Sequence, residues 1–326
     1  MDRRDVVKGL GAGAFSLTAP VGSAFAQGAA DYPKSPMHIY IGFPAGSGAD
    51  ILGRYFTNKL QEVSGKTVIV ENRPGATSNI AVGLVAKAKP DGYSILFVAN
   101  SNMAGSRYLF KDLPFDTVKD FVPAATFAQI VFCIVVAADS KFKTMADLTN
   151  YLKSTDRGKY GYTNQTALLS AELYKSMAGV KAEPVSYRTA PDVLPDVVNG
   201  TLDFSMMDGT YAAGQIRAGR LRALSVTTAQ RSDSFPGVPT MQESGLPGFE
   251  FAPWWAAYFP KGTPQDIVDK FAGWLLQVVK MPETAKFLQT VGAIPLAEDG
   301  KQAHARLMSD IEKWGPIVKA ANIQPM

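Results

Sequence analysis

The sequence predicts an α/β protein of two hinge-connected lobes, each a mostly parallel sheet covered by helices. A strand–helix–strand–helix–strand pattern opens the chain and recurs in its middle third, and each copy has a strand feeding a small-residue loop that opens onto a helix. The 326 residues, 46% of them hydrophobic, suffice for two modest cores. The expected division is an export signal over 1–26, one lobe from 27–127 plus about 250–326, and a second lobe from 128–249.

In the signal segment, Arg3 and Arg4 form a basic start, a weakly apolar Gly/Ala-rich stretch follows, and Ala24-Phe25-Ala26 supplies an A-x-A cleavage site. Arg3-Arg4-Asp5-Val6-Val7-Lys8 resembles a twin-arginine signal, and an ordinary secretion signal with two adjacent arginines is the alternative. Either route places the mature chain, starting near Gln27, outside the cytoplasm. No later stretch reaches the roughly 20 apolar residues of a membrane span.

The first lobe begins with a strand over His38 to Phe43 and the turn-rich Pro44 to Asp50. The following helix carries Leu52, Tyr55, Phe56 and Leu60 on one face. Thr67 to Val70 is a β-branched strand ended by Asn72-Arg73-Pro74-Gly75. A helix from about Asn79 to Lys87 and a strand over Ser94 to Val98 follow. In the second lobe, strands are expected at Val131–Val136, Lys159–Tyr162, Pro184–Tyr187, Leu202–Met207 and Arg222–Thr227. The helices between them run over Met145–Lys153, from Thr163-Asn164-Gln165-Thr166 to near Gly179, over Asp192–Asn199 and over Tyr211–Ala218. Phe235 to Gly248 reads as a long surface connection. A strand over Trp254–Phe259 and C-terminal helices return to the first lobe, with His304, Leu307, Ile311 and Trp314 on one face.

The net charge of +4 is small, and no basic run follows the N-terminus, so nucleic acid is not an expected partner. The single Cys133 permits no internal disulfide and reads as a small core residue. With two histidines, no metal-ligand spacing, no G-x-S-x-G and no H-E-x-x-H, the sequence offers no catalytic or metal centre. Gly46-x-Gly48 with Glu71 23 residues later imitates a dinucleotide fingerprint, but Ile51 stands at the third glycine. No cofactor is expected.

What remains is a pair of anion-ready helix starts, Pro44 to Asp50 and Tyr162 to Thr166. Free N–H groups and the positive end of the helix dipole favour a carboxylate there. Gly and Ser are also the default residues at any β–α junction, so neither loop alone separates a ligand contact from a turn.

Several segments resemble one family. Ile41-Gly42-Phe43-Pro44-Ala45-Gly46-Ser47-Gly48-Ala49-Asp50 is similar to "V-P-F-P-P-G-G-x-x-D", and Val68-Ile69-Val70-Glu71-Asn72-Arg73-Pro74-Gly75-Ala76 to "V-V-V-E-N-R-P-G-A", of the tripartite tricarboxylate transporter receptors, or Bug proteins. Pro90-Asp91-Gly92-Tyr93, Leu113-Pro114-Phe115-Asp116, Gly219 to Leu224 and Gly245 to Glu250 match further blocks in order along the chain. The resemblance implies a type II-like periplasmic binding protein that closes around a small organic acid. It would act as a monomer, without catalysis, and deliver its ligand to a two-subunit integral membrane permease. By position it implies ligand contacts at Phe43, Ala45, Gly46, Ser47 and Asp50, with Ser78 and Asn79 nearby. In the second lobe it implies Thr163, Asn164, Gln165 and Thr166, with Arg188 and Asp208 bordering the cleft. The second loop departs from the family's small-residue pattern at Tyr162 and Gln165, Arg107 and Arg188 are further candidates for shaping the ligand site, and the pair Trp254-Trp255 either lines the hinge side of the cleft or packs in the core. An aromatic or dicarboxylic ligand is the expected preference. The readings from other classes are an exported α/β enzyme on a carboxylated substrate and a ligand-binding input to a sensor kinase.

Overall fold

The computed structural model describes residues 31–320 and 325. The expected export signal, with Arg3, Arg4 and Ala24-Phe25-Ala26, lies outside the described residues.

The first lobe is built on β1 (Met37–Ile41), α1 (Gly48–Ser64), β2 (Val68–Asn72), α2 (Asn79–Ala86) and β3 (Ser94–Ala99). A π-helical turn (Ser101–Gly105), a short α3 (Ser106–Leu109) and β4 (Phe121–Ile130) complete its first pass. The second lobe comprises β5 (Phe132–Ala137), α4 (Met145–Lys153), β6 (Lys159–Tyr162), α5 (Gln165–Ala178) and β7 (Glu183–Ser186). It continues through α6 (Ala190–Val198), β8 (Phe204–Asp208), α7 (Gly209–Arg217) and β9 (Leu221–Val226). The chain then returns to the first lobe as β10 (Trp254–Pro260), α8 (Gln265–Val279), α9 (Pro282–Thr290), β11 (Ala293–Pro295) and α10 (Gly300–Ala320).

Two sheets result, ordered β11-β4-β10-β3-β1-β2 and β7-β6-β8-β5-β9. The expected parallel arrangement is present as β2-β1-β3 in one and β7-β6-β8 in the other. Beyond those trios the sheets are mixed. Strands β10 and β11 run antiparallel in the first sheet and β5 runs antiparallel to β8 and β9 in the second. Of the reversed strands, β5 and β10 are the first after each inter-lobe crossing, while β11 follows α9 within the first lobe.

Helix α1 buries Leu52, Phe56 and Leu60 as its spacing predicts, while Tyr55 stacks on Phe287 at 3.8 Å. Full burial of such a side chain contributes about 1.5–3 kcal/mol of transfer free energy. Cys133 is fully buried. On α10 the buried positions include Ala303, Leu307, Trp314 and Val318, whereas His304 is exposed, because the core-facing stripe passes one residue before it. The connection between β9 and β10 is not confined to the surface. It sinks Phe235, Met241, Phe249 and Phe251 into the two cores.

The two crossings between lobes lie side by side. Ile130 N–H donates to the Pro253 carbonyl at 2.8 Å, and Thr227 N–H donates to the Phe132 carbonyl at 2.9 Å. Between them Val131 N–H reaches the Gly292 carbonyl at 3.0 Å, and Gly209 N–H reaches the Val131 carbonyl at 2.7 Å. A Cβ on Gly209 would lie 2.7 Å from both of those carbonyl oxygens, so glycine is required where these backbones meet.

Candidate functional site

The carboxyl ends of β1, β2 and β3 open into three loops that are tied to one another. Ser78 Oγ donates to the Gly42 carbonyl at 3.0 Å, and Asn102 Nδ2 donates to the Thr77 carbonyl at 2.6 Å. Ser106 Oγ donates to Asn79 Oδ1 at 3.0 Å. Ala76, Thr77 and Ser78 all have positive φ, 45°, 52° and 71°, directly before α2. Non-glycine residues in this region store about 1–3 kcal/mol of strain each, and such strain gathers at ligand-binding segments.

The loop after β1 is organised around Asp50, which is buried. Its Oδ2 accepts the Gly46 N–H at 2.8 Å and Arg54 Nε at 2.9 Å, and its Oδ1 accepts Asn72 Nδ2 at 2.8 Å. Gly46 has φ +78°, which favours glycine there. Ser47 caps α1 by accepting Asp50 N–H at 3.3 Å. Burial alone would raise the Asp50 carboxyl, but hydrogen bonds from Arg54, the Gly46 N–H and Asn72, with the Arg54 charge, outweigh it and hold the group below its usual range. Asp50 therefore shapes the loop, and Pro44, Ala45, Gly46 and Gly48 are the residues left exposed. Phe43 is half-buried against the Trp255 ring at 5.8 Å.

The second lobe presents the matching ends of β6, β7 and β8. Asn164 caps α5 by accepting Ala167 N–H at 2.9 Å, with Thr163 beside it and Thr166 buried in the first turn. Asp208 caps α7 by accepting Tyr211 N–H at 3.1 Å and also accepts from the Thr210 hydroxyl. Arg188, after β7, is exposed and has no side-chain partner among the described residues.

These two sets of loops face each other. A Cβ on Gly48, at the start of α1, would lie 3.0 Å from Thr210 Oγ1 at the start of α7. The π-helical turn after β3 packs against α5. The structure thus gathers Phe43 to Asp50, Ser78 and Asn79 at one carboxyl edge, and Thr163 to Thr166 and Asp208 at the edge opposite. Helix starts leave N–H groups without intrahelical partners, which is the arrangement that receives an anion.

Other candidates stand apart. Arg107 Nη1 is paired with Asp116 Oδ1 at 3.0 Å. Trp254 is buried, with Nε1 donating to Asp310 at 2.8 Å, so Trp255 rather than Trp254 meets the Phe43 loop. Tyr162 is partly buried against the core, its ring 6.2 Å from that of Tyr160. Asn102 was not among the residues the sequence marks, since nothing in Ser101 to Gly105 signals a π-helical turn. A cavity of about 660 Å³ lies elsewhere, between α5, α10 and the stretch before β10, and of the site candidates marked from the sequence it is lined by Trp254 alone. Among the described residues there is no cluster of His, Cys, Asp and Glu able to hold a metal, and no helix is long and apolar enough to cross a membrane.

The chain matches the model of the tripartite tricarboxylate transporter family receptor over residues 52–323. It is 32% identical over 97% of its length to a UPF0065 protein from the tcbD-tcbE intergenic region of Pseudomonas sp. (strain P51), covering 94% of that protein. Among solved structures it is similar to R. palustris Rpa4515 with adipate, with a TM-score of 0.82, 28% identity and coverage of 91% of this chain and 100% of that one. It is also similar to the periplasmic binding protein BugD, with a TM-score of 0.78, 26% identity and coverage of 90% and 100%.

Proposed function

The chain belongs to the tripartite tricarboxylate transporter receptor family, and from that premise we propose that it captures a small organic carboxylate between its lobes and hands it to a two-subunit membrane permease. The observation that carries this reading is the approach of Gly48 to Thr210, which sets the start of α1 opposite the start of α7. The adipate of the Rpa4515 structure supports a carboxylate as the ligand class.

In this reading the Gly46–Gly48 loop, held open by Asp50, receives one carboxylate together with the start of α5. Ser78, Asn79, Thr163, Asn164, Gln165, Thr166, Arg188 and Asp208 line the remainder. Lobe closure over the ligand is the working motion, with Val131, Gly209 and Gly292 at the pivot. The protein acts as a monomer, is exported by the twin-arginine route to the periplasm, and returns its ligand chemically unchanged. Charge and hydrogen bonds hold the carboxylate, and the walls select the rest of the molecule.

Calorimetric titration with aliphatic di- and tricarboxylates and aromatic acids, with recovery and analysis of the ligand, tests this. Saturable binding of an unchanged acid is expected. Conversion of the acid would favour an exported enzyme, and capture of a sensor ectodomain instead of a permease would favour a signalling role.

A further inference from the structure

The cavity of about 660 Å³ belongs to neither lobe alone. Leu173 and Met177 of α5 come from the second lobe, and Asp310 and Trp314 of α10 from the first. The segment 248–254, which carries the chain back into the first lobe, supplies the wall between them. The volume falls within the range of about 300–1,000 Å³ usual for small-molecule sites.

Asp310 is the polar group that this cavity leaves incomplete. Its Oδ2 accepts Asn100 Nδ2 at 2.7 Å and Trp254 Nε1 at 2.8 Å. Its Oδ1 has no hydrogen-bond partner among the described residues and is not sealed from the cavity. The carboxylate also forms no ion pair among the described residues. Arg306, on the same helix, is committed to Glu298, with Nε 2.7 Å from Oε2. Lys313 is exposed and makes no ion pair either. Burial raises the Asp310 carboxyl, and its neighbours offset this only in part.

Much of the remaining wall is apolar. Phe251 and Trp314 stack at 5.0 Å, and Leu173, Met177 and Ile317 lie around the same space. Glu250 adds a second acid without an ion pair. A primary ammonium brings N–H donors and positive charge to Asp310 Oδ1 together, whereas an alcohol brings a donor alone. An anion would meet two acids.

We propose that this cavity is a second binding site, which takes an organic ammonium ion with an apolar body through Asp310. The cavity is present in an arrangement where Gly48 and Thr210 approach each other across the lobes, so its occupant favours that arrangement. Resting on the receptor reading above, the amine and the acid then strengthen each other's binding.

The test is calorimetric titration of the full mature chain with 2-phenylethylamine and its neutral analogue 2-phenylethanol. The amine is expected to bind one-to-one with a Kd below about 1 mM, at least about tenfold more tightly than the alcohol. Asp310→Asn keeps an acceptor for Asn100 and Trp254, and it should remove that preference while leaving the alcohol unchanged. Lys313→Met removes a competing charge and should tighten amine binding by about twofold or more. Ala305→Trp, at the exposed rim of the cavity, should block both compounds. An amine that binds no more tightly than the alcohol, or equally well to Asp310→Asn, overturns the site. With adipate, malate or citrate, whichever saturates the protein, amine affinity should rise by about threefold or more. An unchanged amine affinity overturns the coupling and leaves the site standing. If none of the acids binds, the receptor reading and the coupling fail, and the amine titration still decides the site.

Discussion

Asp50 Oδ2 accepts the Gly46 N–H at 2.8 Å, so the glycine of the loop after β1 is held by a side chain four residues further on. The same carboxylate takes Arg54 and Asn72, linking the loop, the first turn of α1 and the end of β2. Asp50→Ala removes the acceptor shared by the Gly46 N–H, Arg54 and Asn72 and so unties the loop from α1 and β2. A stability loss of about 2–4 kcal/mol is expected in denaturant unfolding, together with weakened acid binding. Because the folded pKa lies below the usual 3.8, this contribution is present above pH 3.8 and is lost as pH falls through the folded value. The gap between wild type and Asp50→Ala should therefore narrow below about pH 4.

Gly48 and Thr210 face each other across the lobes, where a Cβ on Gly48 would come within 3.0 Å of Thr210 Oγ1. Gly48→Val should leave the thermal midpoint of the ligand-free protein within about 3 °C of wild type, since neither core is touched. It should lower ligand affinity at least about tenfold by propping the lobes apart. Calorimetry with a melting curve checks both halves.

Gly292 has φ +64°, and a Cβ there would lie 2.3 Å from the Gly209 carbonyl carbon. Gly292→Ala combines backbone strain with a backbone clash at the pivot. A cost of about 2–4 kcal/mol is expected in chemical denaturation, larger than for Gly214→Ala, whose Cβ would meet nothing.

Burial raises the Asp310 carboxyl, and the bonds from Asn100 and Trp254 with the Lys313 and Arg306 charges offset this only in part. A group whose folded pKa lies above its unfolded value favours the folded state most when protonated, and the penalty grows as pH rises through the unfolded value. Asp310→Asn keeps an acceptor for both donors and should be stabilising by up to about 1 kcal/mol at pH 7, with the gain shrinking toward pH 3.5. Unfolding at the two pH values measures it.

The alternating β–α pattern was legible because its strands end in clear turn residues and its helices carry regular apolar faces, as Leu52, Phe56 and Leu60 illustrate. Strand β4 was not. Its Phe121–Ile130 stretch holds Pro123 and small residues buried on both faces, so neither alternation nor β-branching marks it. The loops at the site were readable as β–α junctions, but the division of labour inside them was not. Asp50 has the residue type of a ligand contact, and only the fold reveals that Gly46, Arg54 and Asn72 occupy it. The run Ala76-Thr77-Ser78 adopts positive φ without a glycine to announce it, and Asn102 follows from that turn.

The most direct measurement is titration of the refolded, ligand-free protein with a panel of carboxylic acids, followed by small-angle scattering and analysis of the recovered ligand. One-to-one saturation by an acid, a contracted radius of gyration on binding, and recovery of the acid unchanged are predicted. An acid that is converted, or a panel in which none binds, would contradict a carboxylate receptor.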